Sequence, residues 1–258
     1  MGHRRSWDNP TVNWLLNNFG PRLRFALHNP LYAASSLYRE ITLSDERFLS
    51  SLTSVSAGSV RKFLNEPVHD ASFAANLQSA ESLFESSDLL SADLYAKKVL
   101  LQYAAVRAFA PDIVVETGVA SGVSSSYLLL ALHKNGRGKL YSIELGDERY
   151  LPPGKPPGWI VPDSLKSRWE LRIGDSCELL PKLLAELGTT SVFIHDSLHT
   201  YEQMLWEYRV AYPFIKQGGL LISDDAAWNP AFPEFCAEVR AARFRILRGV
   251  GFLQKNLS

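Results

Sequence analysis

Ile113-Val114-Val115-Glu116-Thr117-Gly118-Val119-Ala120-Ser121-Gly122-Val123-Ser124-Ser125-Ser126 is the stretch from which the fold can be read. It opens on an apolar, β-branched run after Pro111. It passes two glycines and leads into Tyr127 to Leu132, an apolar segment of Leu and Ala without β-branching. That order predicts strand, tight turn, helix. Such a junction leaves unpaired backbone N–H groups at the start of the helix, beyond the carboxyl end of the strand, where open α/β sheets bind ligands. Glycine allows the turn and lets a ligand approach the backbone. A G-x-G-x-x-G dinucleotide fingerprint started at Gly118 would need glycine where the chain has Ala120 and Val123, so a pyrophosphate is not the favoured guest.

The same alternation continues downstream. After a turn at Asn135-Gly136 and Gly138, Lys139 to Leu145 reads as a second strand with Glu144 near its end. A Pro- and Gly-rich insertion follows over 148–165, too irregular for a helix and too aromatic for a passive linker. Trp169 to Ile173 reads as a third strand ending at Gly174-Asp175, with a helix from Glu178 to Leu187. Ser191 to Ile194 gives a fourth strand ending at His195-Asp196, followed by a helix through Met204, Leu205, Tyr208 and Ala211. Gly218-Gly219 leads into a fifth strand, LLIS, ending at Asp224-Asp225. Strands alternating with helices imply a parallel, doubly wound sheet. Phe244 to Leu247 and Val250 to Gln254, on either side of Gly249, predict a hairpin that closes it with an antiparallel edge.

Upstream, residues 91–258 form the α/β domain, and 1–90 read as a helical extension broken by Pro and Ser. Its helical pieces are Trp14 to Phe19, Leu31 to Tyr38, a helix capped near Thr42 and Asp45, a piece ended by Glu66-Pro67, and Phe73 to Phe84. Such helices would cover the sheet, form a homo-oligomer contact, or close a lid over the substrate.

Composition sets bounds. The chain has 258 residues, 46% hydrophobic, enough to bury a full core, and Lys plus Arg equal Asp plus Glu at 27 each. No polyanionic partner is called for, so nucleic acid is not expected. Cys177 and Cys236 make neither a disulfide framework nor a zinc spacing. No apolar run approaches the ~20 residues that span a bilayer, and the start MGHRRSWDNP lacks a signal-peptide core, so a cytoplasmic protein without a membrane partner is expected. Arg240, Arg243, Arg245 and Arg248 read as a solvated face.

Glu116, Glu144, Asp175, Asp196 and Asp224 each stand at or just beyond a strand's carboxyl end, which is the ligand rim of such a sheet. Ionisable groups are costly inside, so five in register point to a solvated or ligand-filled cleft. A carboxylate at the end of the second strand, Glu144, can accept both hydroxyls of a ribose. Asp175 could equally cap the helix after it.

VVETGVASGVSSSYLL, LYSIEL, RIGDSCELLPKLL and FIHDSLHTYEQMLWEYRVAYPFIKQGGLLISDDA together resemble the ordered motifs of class I S-adenosylmethionine-dependent methyltransferases. More narrowly, they resemble the domain-24 methyltransferases, which include cephalosporin hydroxylase-like and rhamnosyl O-methyltransferase-like proteins. The resemblance covers about residues 91–255. It implies a Rossmann-like, seven-stranded sheet and S-adenosylmethionine as cofactor. Glu116 and Gly118 would line its methionine and ribose part, with Thr117, Ser121, Gly122 and Ser124 in the same turn. Glu144 would take the ribose hydroxyls, Asp175 and Ser176 the adenine edge, and Asp196 would stand next to the cofactor. Adenosylmethionine carries no phosphate, which agrees with the failed glycine fingerprint.

Asp196, Asp224 and Asp225 are hard oxygen donors at neighbouring strand ends and would suit a Mg²⁺ that keeps several waters. The set is similar to the Asp, Asp, Asn metal site of catechol-type O-methyltransferases, with Asp225 where asparagine is common. The resemblance does not decide whether a metal is used. A bound ion would orient and acidify an acceptor hydroxyl, and His199 could take its proton as general base, or simply pack at its helix start. Alternation along the strand predicts that His195 faces away. The expected function is methylation of a small-molecule or sugar hydroxyl. The alternatives are a non-catalytic adenosylmethionine- or nucleotide-binding protein and an NAD-dependent oxidoreductase or epimerase. Tyr212 and Lys216 have a short-chain dehydrogenase spacing, but Pro213 between them breaks the helix that would align them.

Overall fold

The computed structural model describes residues 44–81, 89–147, 149 and 151–257. Among the described residues four helices come first: α1 (Asp45–Ser51), α2 (Ala57–His69), α3 (Ala71–Glu81) and α4 (Leu89–Phe109). The α/β alternation follows as β1 (Ile113–Thr117), α5 (Val123–Asn135), β2 (Lys139–Glu144), β3 (Trp169–Ile173), α6 (Ser176–Leu187), β4 (Thr190–His195), α7 (Tyr201–Ala211), β5 (Ile215–Ser223), α8 (Ala231–Glu238), β6 (Arg243–Leu247) and β7 (Val250–Gln254). The helical pieces expected at Trp14–Phe19 and Leu31–Tyr38, and Thr42 and Phe84, lie outside the described residues.

The seven strands form one sheet in the order β3-β2-β1-β4-β5-β7-β6. β1 to β5 are parallel, and β7 runs antiparallel to both β5 and β6. The order reverses between β1 and β4, where Thr117 pairs with His195, so the Gly118 turn and Asp196 lie side by side at the switch point. Open α/β sheets bind their ligands there.

Period-two alternation divides the core. Val114, Leu140, Val192, Ile194, Leu220 and Ile222 face one side and pack under α4, α5 and the α1–α3 side chains Phe48, Leu49, Leu52, Val60 and Phe73. Val115, Ile143, Phe193 and Leu221 face the other side, under α6, α7 and α8. The described part of the extension thus shares one hydrophobic core with the sheet. It is also tied by polar groups, because Glu66 on α2 accepts from Tyr103 (2.7 Å) and Arg107 (2.8 Å) on α4.

Three local expectations change. Pro67 does not end its helix but sits in the last turn of α2, and Ser44 is the residue that caps α1. Arg245 is buried rather than solvated, its guanidinium 5.9 Å from the Phe48 ring centroid. The Pro-rich insertion buries Ile160 and Val161 and ends in a 3-10 helix, Asp163–Arg168. It is stitched to the β1–α5 turn, with Gly158 N donating to Ala120 O (2.8 Å) and Ile160 N to Ser121 O (3.2 Å), while Asn76 of α3 donates to Ile160 O (3.0 Å). No described helix is long and apolar enough to cross a membrane.

Candidate active site at the carboxyl rim

The first wall of the site is the β1–α5 turn. Gly118 has φ +85°, and a Cβ there would lie 2.0 Å from the carbonyl oxygen of Asp196. Gly122 has φ +92°, with Gly158 Cα 2.8 Å from where its Cβ would be. Both glycines are therefore required by the approach of other segments of the chain, β4 and the insertion, whereas the sequence reading assigned that closeness to a ligand.

Glu144 braces this turn from the end of β2. Its Oε2 accepts from Val119 N (2.7 Å) and Ala120 N (2.8 Å), and its Oε1 accepts from Gly146 N (3.0 Å). Beside it, Leu145 and Ile173 are 62% and 56% exposed, an apolar flank on either side of a half-buried carboxylate. Asp175 caps α6 through Cys177 N (2.7 Å) while staying exposed, so both of its expected roles are open to it.

The five rim acids are not equivalent. Glu116 was expected to face a cleft, but it is fully buried and accepts from Ser125 and Ser142 (2.7 Å each) and Ser124 (3.4 Å). Burial pushes its carboxyl up to about 8, more than the serine hydroxyls hold it down. Thr117 and Ser176 likewise turn inward, both donating to Glu207 of α7 (2.5 and 2.8 Å), and Ser121 is buried. The turn shows few side chains to solvent: Thr117, Val119 and Ser121 are buried and Ala120 is exposed.

Glu207 gathers five donors: Thr117, Ser176, Ser197, Gln203 and His195 Nδ1 (2.6 Å). Burial works to raise its pKa, but the His195 partner and these donors outweigh it and hold the carboxylate at about 2. His195 does not face away from the site. Its buried ring stands edge-on to His199, centroids 5.5 Å apart, because the chain turns back at Asp196 and lays His199 over the strand end.

The second wall is the acid cluster at the ends of β4 and β5. His199 lies between Asp196 Oδ1 (3.6 Å from Nε2) and Asp225 Oδ2 (3.4 Å from Nδ1). Burial disfavours its protonation, yet the neighbouring carboxylates of Asp196, Asp225 and Asp224 raise its pKa above the ordinary value. Asp196, His199 and Asp224 each offer a ligand atom within 4.8 Å of the others. Asp224 Oδ1 is buried without a hydrogen-bond partner, and burial with the nearby Asp196 pushes this carboxyl up to about 6. Asp225 caps no helix, since α8 begins only at Ala231 after Pro230. It stands at φ +43° and turns its carboxylate into the cluster.

Two site residues escaped the sequence reading. Lys98 of α4 reaches Asp224 Oδ2 (3.1 Å) and Asp225 Oδ1 (2.5 Å), so the three aspartates do not form one equivalent set. Nothing local in its helix announces this contact across 126 residues of chain. Glu207 did leave a signal, since it stands among Met204, Leu205, Tyr208 and Ala211 on the buried stripe of α7, where a carboxylate needs partners.

At the mouth, Leu198 and Trp228 are 60% and 62% exposed, and the Trp228 ring lies 5.7 Å from His199. The loop bearing Trp228 is held, with Trp228 N donating to Asp225 O (2.8 Å) and Asn229 Nδ2 to His199 O (3.1 Å).

A family model described as a methyltransferase domain matches residues 115–226, from within β1 to the loop after β5. No curated protein sequence matches the chain. Among solved structures, an O-methyltransferase from Bacillus cereus in complex with SAH is 15% identical, with 80% of this chain and all of that one covered at a TM-score of 0.51. The methyltransferase MycE from the mycinamycin biosynthetic pathway, in complex with Mg, SAH and mycinamycin VI, is 14% identical at a TM-score of 0.47. The match covers 65% of this chain and 54% of MycE, about half of MycE's length. The O-methyltransferase NovP is 18% identical over 57% of this chain and 72% of its own, at a TM-score of 0.45. At such identities the likeness is one of fold. The family match spans the strands that carry the rim, and the sheet shares the Rossmann-like fold of the Bacillus cereus methyltransferase.

Proposed function

We propose that this domain binds S-adenosylmethionine over the Gly118 turn and transfers its methyl group to a hydroxyl of a small molecule or sugar, with His199 as the general base. The observation that carries the reading is the place of His199. It is lodged between Asp196 and Asp225, one residue beyond the exposed Leu198, and next to the strand end that touches the Gly118 turn. Glu144 has its carboxylate at the turn where a ribose diol would reach it, and the exposed Leu145 and Ile173 would face the adenine. Asp175, exposed beside them, would take the adenine edge. Glu116, Thr117, Ser124 and Ser176 act from beneath, fixing the turn and α7 rather than touching the cofactor.

The acceptor's proton goes to His199. A neutral His199 accepts it from the acceptor hydroxyl, and the carboxylates of Asp196 and Asp225 stabilise the imidazolium that results. Leu198 and Trp228 would shield the reacting oxygen from water at the mouth.

The residues also fit a divalent ion: Asp224 Oδ1 is buried and unpaired, and Asp224 offers a carboxylate oxygen within 4.8 Å of ligand atoms of Asp196 and His199. Asp196 and Asp224 would hold it together with waters, leaving His199 free as base, and Asp225 would stay on Lys98. When bound, such an ion supplies a Lewis acid that lowers the pKa of an acceptor hydroxyl.

Calorimetry with SAH and thermal unfolding in the presence of SAH or NAD test the cofactor assignment. SAH should stabilise the protein by about 2.7 kcal/mol at a hundredfold excess over its Kd. Equal stabilisation by NAD would move the reading to an oxidoreductase. Methyl transfer from labelled S-adenosylmethionine to hydroxylated small molecules then separates an enzyme from a binding protein.

A further inference from the structure

We propose that Lys98 is a resident cation of the acid cluster, holding Asp224 and Asp225 in place in the absence of a metal and opposing any divalent ion that enters beside it. The inference extends the metal part of the proposed function and rests on that reading of Asp196 and Asp224.

Lysine is among the residues least often buried, and a buried ammonium persists where carboxylates pair with it. The Lys98 side chain is 11% exposed and its two partners 8% and 15%, so the contact is shielded from solvent. The stem is boxed in as well. The β6–β7 turn passes close enough that a Cβ on Gly249 would lie 3.4 Å from Lys98 Cε. This is a built contact between α4 and the rim, and it differs from a surface ion pair in that neither partner can turn to water.

The way the oxygens are shared carries the argument further. Asp224 gives Oδ2 to Lys98 and keeps Oδ1 buried and unpaired, while one of its carboxylate oxygens lies within 4.8 Å of ligand atoms of Asp196 and His199. Asp225 gives Oδ1 to Lys98 and Oδ2 to His199. One ammonium thus withdraws Asp225 from the ligand set and separates the three aspartates into a pair for an ion and a partner for the base. Three carboxylates against one ammonium still leave an excess of negative charge, so the cluster can accept a cation. That cation, however, shares the Asp224 carboxylate with Lys98, and like charges across one carboxylate repel. Lys98 therefore makes the ion a weaker, exchangeable occupant, and it lets the domain fold and take its cofactor without one.

The test is Mn²⁺ binding to the full chain, followed by the electron paramagnetic resonance signal of free Mn²⁺ and by thermal unfolding. It compares the parent with Lys98→Met, which keeps the stem and removes the charge, and Lys98→Arg, which keeps the charge. Lys98→Met is expected to lose stability without metal, to bind Mn²⁺ about tenfold or more tightly than the parent, and to gain more thermal stability from it. Lys98→Arg should bind Mn²⁺ about as the parent does. Equal or weaker Mn²⁺ binding by Lys98→Met, or no binding by any of the three, would overturn the proposal. Should Lys98→Met fail to fold alone, Lys98→Gln serves in its place. Recovery of either variant on adding Mn²⁺ supports the proposal, and failure of Mn²⁺ to recover them refutes it. Calorimetry of SAH with the parent reads the methyltransferase assignment separately, since its outcome does not depend on Lys98 or Mn²⁺.

Discussion

Glu144 is the residue at which the folding and the cofactor roles can be separated by experiment. In Glu144→Ala, three backbone N–H groups, of Val119, Ala120 and Gly146, lose their carboxylate acceptor. Hydrogen bonds to charged groups contribute about 1.5–3 kcal/mol each when shielded. Ala120 is exposed, however, so water replaces its partner, while Val119 is buried. The expected loss of folding stability is therefore about 2–4 kcal/mol, less than three full bonds. Glu144→Gln keeps an oxygen for Val119 and Ala120 but presents an amide N–H₂ to Gly146, and should cost about 1 kcal/mol. Urea denaturation measures both. The cofactor role is read by calorimetry with SAH and its 2′-deoxy analogue. If the carboxylate accepts the ribose hydroxyls, removing one leaves an acceptor unpaired, and the parent should favour SAH by about 10- to 150-fold, equivalent to 1.5–3 kcal/mol. In Glu144→Ala that preference should fall to nearly none. A preference that persists unchanged in Glu144→Ala would show that Glu144 only braces the turn, and the ribose assignment would be abandoned.

Other residues give sharper single outcomes. Glu116, pushed up to about 8 by burial from an ordinary 4.5, holds a proton in the folded state that the unfolded chain releases. Stability should therefore fall as pH rises from about 4.5 towards 8, by at most about 5 kcal/mol, and level off above; Glu116→Gln should flatten this slope in urea titrations at several pH values, and an unchanged slope would assign it to other groups. Gly118→Ala puts a Cβ 2.0 Å from the Asp196 carbonyl in a positive-φ position, and should cost at least about 2 kcal/mol and abolish SAH binding; normal calorimetric affinity would mean the strand end yields easily. His199→Ala should slow methyl transfer about 10²-fold or more with little change in SAH affinity, measured once an acceptor is in hand. A rate near the parent's would remove it as the base.

The sequence by itself determined the frame. Alternating β-branched runs and helical segments specified seven strands and the place of the hairpin, because side-chain period and turn chemistry are local properties of the chain. It also brought Glu144, Asp196 and Asp224 to the rim, since a residue at a strand's end inherits its position from the strand. What it could not specify was direction and partnership. Glu116 and Glu144 both stand at strand ends, yet one is sealed beneath three serines and the other faces the turn, a difference made by the packing of α5 and β2 around them. His195 was assigned to the far side by strand alternation, and the turn at Asp196 brought His199 back over it. Lys98 lies furthest from what sequence can show. Its meaning depends on its side chain reaching from α4 to the end of β5, a buried pair formed across 126 residues, which only the tertiary structure, by removing water from three charges at once, turns into an interaction.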